Sequence, residues 1–370
     1  MTSTVALQKC DEYDFDKVLT SIKKMLELVP PPDVCGKTVL LKPNILYPKA
    51  PELAVCTHPV VVGAAVRAFV ELGADRVIAG ESPAIAGSAT AAKATGMYEQ
   101  VIKNGGEWAD FKEAVSIPCP DGKVVNNLDF AKQFLEADIV VSLSKLKSHQ
   151  LMTYTGAMKN LFGLMIGLEK AGCHYRFSRK EDFAAFLTDL VLAAKPGYAI
   201  MDAIVGMDGP GGPGSGDPIQ LGFLAASDNI LALDWKCASL VGYNPHDILN
   251  LQDALKRGVW LKSPAEITTS GAAEEDCRST SFRIVRDSKA LSNQMPGFIN
   301  FLAEKLLMKT PHFNAGKCKK CRRCEQICPA HIIKMEGADS TARLADKSKC
   351  LHCFCCHEIC PADAIKLRRF

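Results

Sequence analysis

The chain has 370 residues, of which 48% are hydrophobic and 23% are charged, and its formal net charge at pH 7 is +3. This composition excludes a disordered chain and is sufficient for one large domain and a small one. The small net charge, without interleaved basic and aromatic residues, argues against a nucleic-acid-binding protein.

The beginning of the chain and its apolar runs give no sign of export or membrane insertion. Residues 11–16 include four acidic side chains, which is not the pattern of a signal peptide. The longest apolar run, at residues 59–70, contains Arg67 and is too short to span a bilayer. We therefore expect a cytoplasmic protein without membrane contact, in which 16 cysteines indicate metal ligands rather than disulfides.

Strand-like and helix-like apolar patterns alternate along most of the chain. The strands are predicted at residues 37–42, 76–80, 138–143, 198–205 and 221–226. The helices are predicted at residues 59–72, 89–104, 182–195, 229–241 and 246–256. Thr57 or His58 caps the first helix, and Pro59 lies in its first turn. This alternation is typical of an α/β domain with a mainly parallel sheet and flanking helices.

The patterns divide the chain into three segments. Residues 1–295 are predicted to form the α/β domain, although residues 262–295 are polar and only loosely patterned. An apolar helix at residues 298–308 is predicted within a connecting segment, residues 296–311. Residues 312–370 are predicted to form a small α+β domain. The cysteines of the first segment have no ligand spacing and are expected mostly in the core: Cys10, Cys35, Cys56, Cys119, Cys173, Cys237 and Cys277.

Polar side chains gather near the ends of the predicted strands. They are Lys42 and Asn44 after the first strand, Glu81 and Ser82 after the second, Lys145, Lys147 and His149 after the third, Asp202 within the fourth and Asp208 in the loop beyond it. Lys159, Asn160 and His174 follow the third strand along the chain. Ligands of open α/β sheets bind outside the carboxyl ends of the strands. Lys145, Lys147 and His149 occupy alternate positions, so their side chains share one face of the strand if the chain stays extended.

These residues predict a cationic pocket suited to a carboxylate or a phosphate. The lysines would hold the anion, and His149 and His174 would donate protons. Taken singly, each lysine is better explained as a solvated loop residue, and each histidine as a structural group with satisfied hydrogen bonds. The hypothesis therefore depends on the convergence of several strand ends.

The loop at residues 206–218 is rich in glycine. Gly209, Gly211 and Gly214 fit the spacing G-x-G-x-x-G, but Pro213 interrupts it and a strand follows, so no helix N-terminus is present to bind a pyrophosphate. We reject a dinucleotide site. Two alternatives stay open: close approach of the backbone to a substrate, or a tight connection.

A cysteine motif, C-x2-C-x2-C-x3-C-P, occurs twice near the C-terminus, at an interval of 32 residues. This spacing binds two [4Fe–4S] clusters, with the fourth cysteine of each run bound to the other cluster. The predicted ligands are Cys318, Cys321, Cys324 and Cys360 for cluster 1, and Cys350, Cys353, Cys356 and Cys328 for cluster 2. Zinc would favour pairs of C-x2-C. Cys355 lies inside the second motif, at a position that the motif does not require, and is expected to be a free thiol beside the cluster rather than an exchanged ligand.

The two halves of this segment match beyond cysteine, at Ile327/Ile359, Ala330/Ala362, Ile333/Ile365 and Lys334/Lys366. The segment 312–370 carries 12 Lys or Arg and 6 Asp or Glu. Several of the cations surround the first motif, where they favour the reduced cluster and attract an acidic electron donor. A solvated basic face is the alternative.

The segment from residue 311 onward resembles bacterial-type two-cluster ferredoxins. The remainder resembles the domain-of-unknown-function family 362 across roughly residues 36–260, through LLKPN at 40–44, THPV at 57–60, SKLKSH at 144–149, TGAMKNLFG at 155–163, MDAIVGMDGP at 201–210 and ALD at 232–234. The resemblance implies that the characteristic polar positions are Lys42, Asn44, Lys145, Lys147, His149, Lys159, Asn160, His174, Asp202 and Asp234. It does not imply a substrate.

We expect an iron–sulfur oxidoreductase that passes electrons from two [4Fe–4S] clusters to a small anionic substrate, for example by reducing an activated double bond. Lysines would stabilise developing negative charge, and His149, His174 or Cys173 would deliver protons. The expected partner is an electron donor such as a ferredoxin or flavodoxin, and a homodimer is left open. The alternatives are an electron carrier that docks another redox protein and clusters with a structural role only.

Overall fold

The computed structural model describes residues 2–286, 309–337 and 340–368. Within them, a large sheet with helices on both faces forms one domain, and a small domain carries the two cysteine motifs. Most of the predicted connecting segment, residues 296–311, lies outside the described residues, so its helix stays a prediction.

A nine-stranded sheet forms the centre of the large domain within the described part of the chain. The strands are β1 (Ser3–Lys9), β2 (Thr38–Pro43), β3 (Arg76–Glu81), β4 (Glu107–Asp110), β5 (Ala114–Pro118), β6 (Asn127–Ala131), β7 (Ile139–His149), β8 (Thr153–Thr155), β9 (Tyr198–Asp208), β10 (Asp217–Ser227) and β11 (Ile267–Gly271). Their order is β11-β1-β10-β9-β7-β2-β3-β4, β8 pairs with β7, and β5 and β6 form a separate ribbon. The pairs β1/β11, β2/β3, β2/β7, β3/β4 and β7/β9 are parallel, which confirms the mainly parallel sheet.

Helices cover both faces of the sheet. They are α1 (Phe15–Leu28), α2 (Pro59–Glu71), α3 (Ser88–Ala94), α4 (Met97–Lys103), α5 (Ala157–Asn160), α6 (Glu169–Arg176), α7 (Lys180–Ala194), α8 (Ile230–Leu240), α9 (Leu249–Arg257) and α10 (Glu274–Cys277). Alternate strand residues point to opposite faces, so Leu41 joins a core with α1 and α2, and Leu40 joins another with α7, α8 and α9. No helix of the described residues is long and apolar enough to cross a bilayer.

The helix predicted at residues 59–72 is confirmed, and the one predicted at 89–104 is wrong in part. The ring of His58 accepts a hydrogen bond from the N–H of Val60 and caps α2. The second pattern divides into α3 and α4, because Gly96 adopts a left-handed backbone with φ of 75° between them. Left-handed glycine is a common helix terminator.

Several strands are longer than predicted, and the extensions of β7 and β9 bear on the site. β7 continues to His149, so Lys145 and Lys147 lie within the strand and not after it, because β8 and β9 continue to pair with it there. β9 continues to Asp208, which was expected in a loop. The polar segment after residue 262 also contains β11, which no apolar pattern predicts. An edge strand is bonded on one side only, so it tolerates polar residues.

The small domain is built from a structural repeat. Its elements are β12 (Thr310–Phe313), α11 (Arg323–Ile327), β13 (Ile333–Lys334), β14 (Arg343–Leu344), α12 (Cys355–Glu358) and β15 (Ile365–Arg368). Left-handed backbone recurs in matched pairs at Lys320 and His352 (φ 54° and 51°), Arg322 and Phe354 (58° and 63°), and His331 and Asp363 (52° and 48°). The internal repeat predicted from sequence is therefore confirmed in the backbone.

The small domain packs against the carboxyl ends of the central strands. Ile327 and Ile359 join the core beside α1 and α2, and Phe354 joins the core on the opposite face of the sheet. Lys309 Nζ also donates a hydrogen bond to Gln150 Oε1 at 2.9 Å. As a result, α12 lies over the edge of the sheet where the predicted polar residues gather.

Candidate functional site

Two cavities of the small domain are each lined by four cysteines. The first includes Cys318, Cys321, Cys324 and Cys360, and the second includes Cys328, Cys350, Cys353 and Cys356. Each cavity takes three cysteines from one half of the repeat and one from the other. Thiolates are the ligands that iron–sulfur clusters require. The residues present therefore fit one [4Fe–4S] cluster in each cavity.

The two cavities differ in charge. Lys319, Arg322 and Arg323 line the first cavity. No Lys, Arg, Asp or Glu of the described residues lines the second, whose walls include Leu351 and Phe354. Because nearby charge and solvent exposure set the potential of an iron–sulfur cluster, the two sites are chemically unequal.

Cys355 lines neither cavity. Its side chain is 7% exposed and belongs to the core beside α1 and α2. A hydrogen bond with Cys353 and burial raise its pKa well above the ordinary value for a thiol. The thiol also lies within electrostatic range of Lys159, so this part of α12 stands between the second cavity and the sheet.

The charged and polar side chains at the carboxyl end of the sheet, here called the polar edge, form a group of buried contacts, of which His149 faces α12. They are Lys42, Asn44, Glu81, Lys145, Lys147, His149 and Asp202. Most are almost completely buried, with exposed fractions of 0% for Lys42 and 2% for Lys145 and for Lys147. Their partners inside the protein therefore decide what the group is able to bind.

Lys42 is neutralised by a buried carboxylate. Its Nζ lies 2.9 Å from Glu81 Oε1 and also donates to the carbonyl of Pro43. Burial lowers the pKa of Lys42, and Glu81 opposes that effect. Asn160 of α5 donates to the Lys42 carbonyl at 2.6 Å. Gly163 packs on the ion pair, where a Cβ atom would overlap Glu81 Oε1.

Lys145 is likewise paired, with Asp202. Lys145 Nζ donates to Asp202 Oδ2 at 2.9 Å and to the Tyr13 hydroxyl at 2.7 Å. Tyr13 donates to Asp202 Oδ1, and the N–H of His58 donates to Asp202 Oδ2. The His58 ring stacks on Tyr13 at 3.5 Å between centroids, and burial lowers its pKa to about 4. Tyr13 was not predicted, because it precedes the first predicted element and carries no motif.

Lys147 and Lys159 differ from these pairs. Lys147 Nζ donates to Asn44 Oδ1 at 2.6 Å and to the carbonyl of Val55 at 2.7 Å, and burial lowers its pKa to about 7. Lys159 is partly exposed on α5, and its pKa is lowered by burial and raised by the nearby Glu358. Among the described residues, neither ammonium has a carboxylate within 4 Å.

His149 connects the polar edge to the small domain. Its Nδ1 accepts hydrogen bonds from the N–H groups of Leu151 and Met152 at 3.1 and 3.2 Å. The neutral ring therefore carries its proton on Nε2, which lies 3.6 Å from Glu358 Oε1 of α12. Burial lowers the pKa of His149 well below its ordinary value, and nearby lysines act in the same direction. Burial raises the pKa of Glu358, against the effect of Lys159.

Glu358 was missed by the sequence analysis, because it sits within the second cysteine motif. The position matched to it in the first half of the repeat is Gln326, which is exposed. The replacement of this glutamine by glutamate in the second half of the repeat was the one signal in the sequence that could have indicated Glu358.

His174 and Cys173 on α6 pack among apolar side chains. The His174 ring stacks on Phe183 at 4.3 Å between centroids, and burial lowers its pKa to about 3. The thiol of Cys173 lies 4.0 Å from Met165 Sδ, and burial raises its pKa to about 12. These surroundings fit a structural role for His174 and Cys173, which was the alternative to proton donation.

Two predicted carboxylates have structural partners. Asp208 accepts hydrogen bonds from the backbone N–H and the guanidinium of Arg283, so its charge is met there. Asp234 accepts from the N–H groups of Ala157 and Met158, at 2.6 and 2.9 Å, at the start of α5. Burial raises the pKa of Asp234 to about 7, while those N–H groups oppose the rise.

The glycine-rich loop, which joins β9 to β10, approaches the small domain closely. A Cβ atom on Gly214 would lie 2.5 Å from the carbonyl oxygen of Glu358. The carbonyl of Gly214 also accepts hydrogen bonds from Tyr47 and Lys49, at 2.9 and 3.2 Å. The glycines here allow two backbones to meet between the domains, an arrangement that neither alternative from the sequence had included.

The fold and the cysteine-lined cavities define an α/β protein with a fused iron–sulfur domain. The chain belongs to the family described as Domain of unknown function (DUF362), whose model matches residues 39–239, and residues 310–361 match the 4Fe-4S dicluster domain. It is 33% identical over 265 residues to the "Thylakoid-associated protein sll1697" of Synechocystis sp. (strain ATCC 27184 / PCC 6803 / Kazusa), across 67% of this chain and 77% of that protein. Both resemblances are confirmed, and the 4Fe-4S domain supports iron–sulfur electron transfer.

Proposed function

We propose that this protein reduces a small anionic substrate at the junction of the polar edge and α12, with electrons from two [4Fe–4S] clusters. The contact between His149 and Glu358 carries the proposal, because α12 contains the cluster ligand Cys356 and, two residues later, the carboxylate that faces the polar edge. Bound clusters supply electrons singly. A ferredoxin or flavodoxin in the cytoplasm replenishes them.

The charges at this junction favour a substrate with one negative charge. The ion pairs of Lys42 and Lys145 are complete without a ligand. Lys147 and Lys159 both interact electrostatically with one carboxylate, that of Glu358. Glu358 and one substrate carboxylate together balance Lys159 and a protonated Lys147, whereas a pyrophosphate exceeds this charge. Because burial lowers the pKa of Lys147 to about 7, a bound carboxylate would favour its protonated form.

The reduction of an activated double bond requires two electrons and two protons. Lys147, oriented by Asn44, is placed to stabilise negative charge that develops on the activating group. His149 directs its Nε2 proton toward Glu358 at the same junction, since Nδ1 accepts hydrogen bonds from backbone N–H groups. Solvent provides the second proton through the side of Lys159 that remains exposed.

The burial of the polar edge favours a second candidate, electron transfer to a partner protein. Lys42, Lys145, Lys147 and His149 are each no more than 2% exposed, so a substrate reaches them only if α12 moves. In this alternative the polar edge serves to hold the small domain in place. The protein then transfers electrons without a small-molecule substrate of its own.

The two candidates are distinguished by an anaerobic reoxidation experiment. The protein is purified with its clusters filled and reduced, and visible absorbance is followed while fractionated cell metabolites and a panel of unsaturated monocarboxylates are added. We expect one small-molecule fraction to reoxidise the wild type. Reoxidation by protein fractions alone would favour the carrier.

Variants then test the site. Lys147→Met and His149→Gln should each slow reoxidation by about 100-fold or more, because charge stabilisation or proton transfer is lost. Lys334→Met, which removes an exposed lysine of β13, serves as the control and should leave the rate unchanged. Iron content verifies that the clusters remain. Full rates in both site variants would exclude this location.

A further inference from the structure

We infer that electrons enter through the first cysteine-lined cavity, and that an exposed basic face beside it docks a small acidic electron-transfer protein. The basic face consists of Lys317, Lys319, Lys320, Arg322 and Arg323. The inference rests on the proposed electron transfer and assigns different roles to the two halves of the small domain.

The repeat makes the two halves directly comparable. Because the left-handed positions recur in pairs, each residue of the first half has a structural counterpart 32 positions later. Arg322 matches Phe354, and Arg323 matches Cys355. Differences between matched side chains therefore reflect different surroundings and not different backbone paths.

The matched residues face different surroundings. Phe354 and Cys355 are 8% and 7% exposed and are packed into the two cores of the large domain. Their counterparts Arg322 and Arg323 are partly exposed, and Cys321 is exposed. The second half of the repeat is thus turned toward the sheet, and the first half is turned toward solvent.

The exposed half also carries the charge. Five of the seven residues at 317–323 are Lys or Arg, and three of them line the first cavity. Lys317 and Lys319 are exposed to solvent, and Arg322 forms an ion pair with Glu325 at 3.0 Å. Positive charge of this density raises the rate of encounter with an acidic protein. The same cations favour the reduced state of a cluster in the first cavity.

The order of transfer follows from this placement. A donor bound to the basic face is next to Cys321, while the second cavity adjoins α12 and the polar edge. The cysteines of the first cavity would hold the cluster that accepts an electron from the donor, and those of the second cavity would hold the cluster nearer the substrate. No bond is formed or broken in these steps, and the donor is oxidised by one electron each time.

The test is the rate at which a plant-type ferredoxin or a flavodoxin hydroquinone, both acidic proteins, reduces the clusters under anaerobic conditions. The triple variant Lys317→Glu/Lys319→Glu/Lys320→Glu should be reduced about tenfold or more slowly than wild type at low salt. The difference should largely disappear at about 0.5 M salt, where charges are screened over a few ångströms.

The matched control is Lys347→Glu/Lys349→Glu/Lys366→Glu, which changes the charge equally with exposed lysines of the second half. It should be reduced at nearly the wild-type rate. Iron content and reduction by dithionite at high salt establish that the clusters of both variants are intact. Equal slowing of both triple variants, or a basic-face variant at the wild-type rate, would overturn the inference.

No substrate is present in this measurement, so its outcome is independent of the reductase proposal. A slowed basic-face variant together with the absence of any small-molecule oxidant would preserve the docking surface and overturn the reductase. Normal reduction of the basic-face variant, together with loss of turnover in Lys147→Met, would overturn the docking surface and preserve the reductase.

Discussion

Lysines occur at two places close to the proposed clusters, and their surroundings are opposite. Lys42 and Lys145 of the polar edge are buried, and each contacts one carboxylate from a neighbouring strand. Lys317 and Lys319 of the basic face stand in water. Buried charges must be paired to be tolerated, whereas exposed ones are nearly neutral for stability. The first group is therefore committed to internal ion pairs, and the second is exposed to a partner.

The largest expected effect comes from removing one member of a buried pair. Lys145→Met should lower the free energy of unfolding by about 3–5 kcal/mol, because it leaves the carboxylate of Asp202 buried without its cation. Denaturant titration under anaerobic conditions measures the change. Lys319→Met, on the basic face, should change the same quantity by less than about 0.5 kcal/mol.

The double variant Lys145→Met/Asp202→Asn tests the cause of this loss. Removal of both charges should recover part of the lost stability, because no ion is then left unpaired. If the double variant is as unstable as Lys145→Met, the destabilisation comes from lost packing around the lysine stem instead.

A smaller effect is expected when the ion pair of Lys42 and Glu81 is disturbed by a substitution at Gly163, which packs against it. Gly163→Ala places a Cβ atom over Glu81 Oε1 and 2.6 Å from Lys42 Nζ, so that the pair must separate. We expect a loss of about 2 kcal/mol in the free energy of unfolding. Gly172→Ala is the control, since its Cβ meets nothing within 4 Å, and a slight gain in stability is expected there. Equal effects in the two variants would argue against a tightly packed ion pair.

The smallest effect, for a change of one pH unit, is a dependence of stability on pH. Burial lowers the pKa of Lys147 to about 7, so between about pH 7 and pH 10 the unfolded chain binds a proton that the folded protein lacks. The free energy of unfolding should therefore rise with pH, by at most about 1.4 kcal/mol per unit. Below about pH 7, Lys147 is protonated in both the folded and the unfolded protein, so its contribution to the free energy of unfolding no longer changes with pH.

Comparison with Lys147→Met isolates this contribution. The unfolding free energy of the wild type minus that of Lys147→Met should increase from about pH 7 to about pH 9. The corresponding difference for Lys319→Met should not change with pH over that window. A flat difference for Lys147→Met would mean that the lysine keeps its proton inside the folded protein.

The sequence predicted the elements of the fold better than the contacts of the site. The motif LLKPN at 40–44 indicated a strand with polar residues at its end, and the alternation of Lys145, Lys147 and His149 placed them on one face. The partners were not predictable, because Lys42 meets Glu81 across 39 positions and Lys145 meets Asp202 across 57. Those pairs become neighbours only through the order of strands in the sheet.

The closure of the site by α12 was also beyond the sequence patterns. Glu358 has the character of a surface residue in a short helix, and only the docking of the small domain brings it to His149. Asp208 was assigned to an open loop because glycines follow it directly, yet pairing with β10 extends β9 to that residue. Both differences arise from long-range packing, which local periodicity does not contain.

The shared lining of the two cavities bears on how the protein is made. The first cavity needs Cys360, and the second needs Cys328, so neither half of the small domain encloses four cysteines by itself. A ribosome that has released only the first motif has therefore not yet produced a complete site for iron. A complete set of four cysteines therefore exists at the first site only after the chain has been synthesised through Cys360.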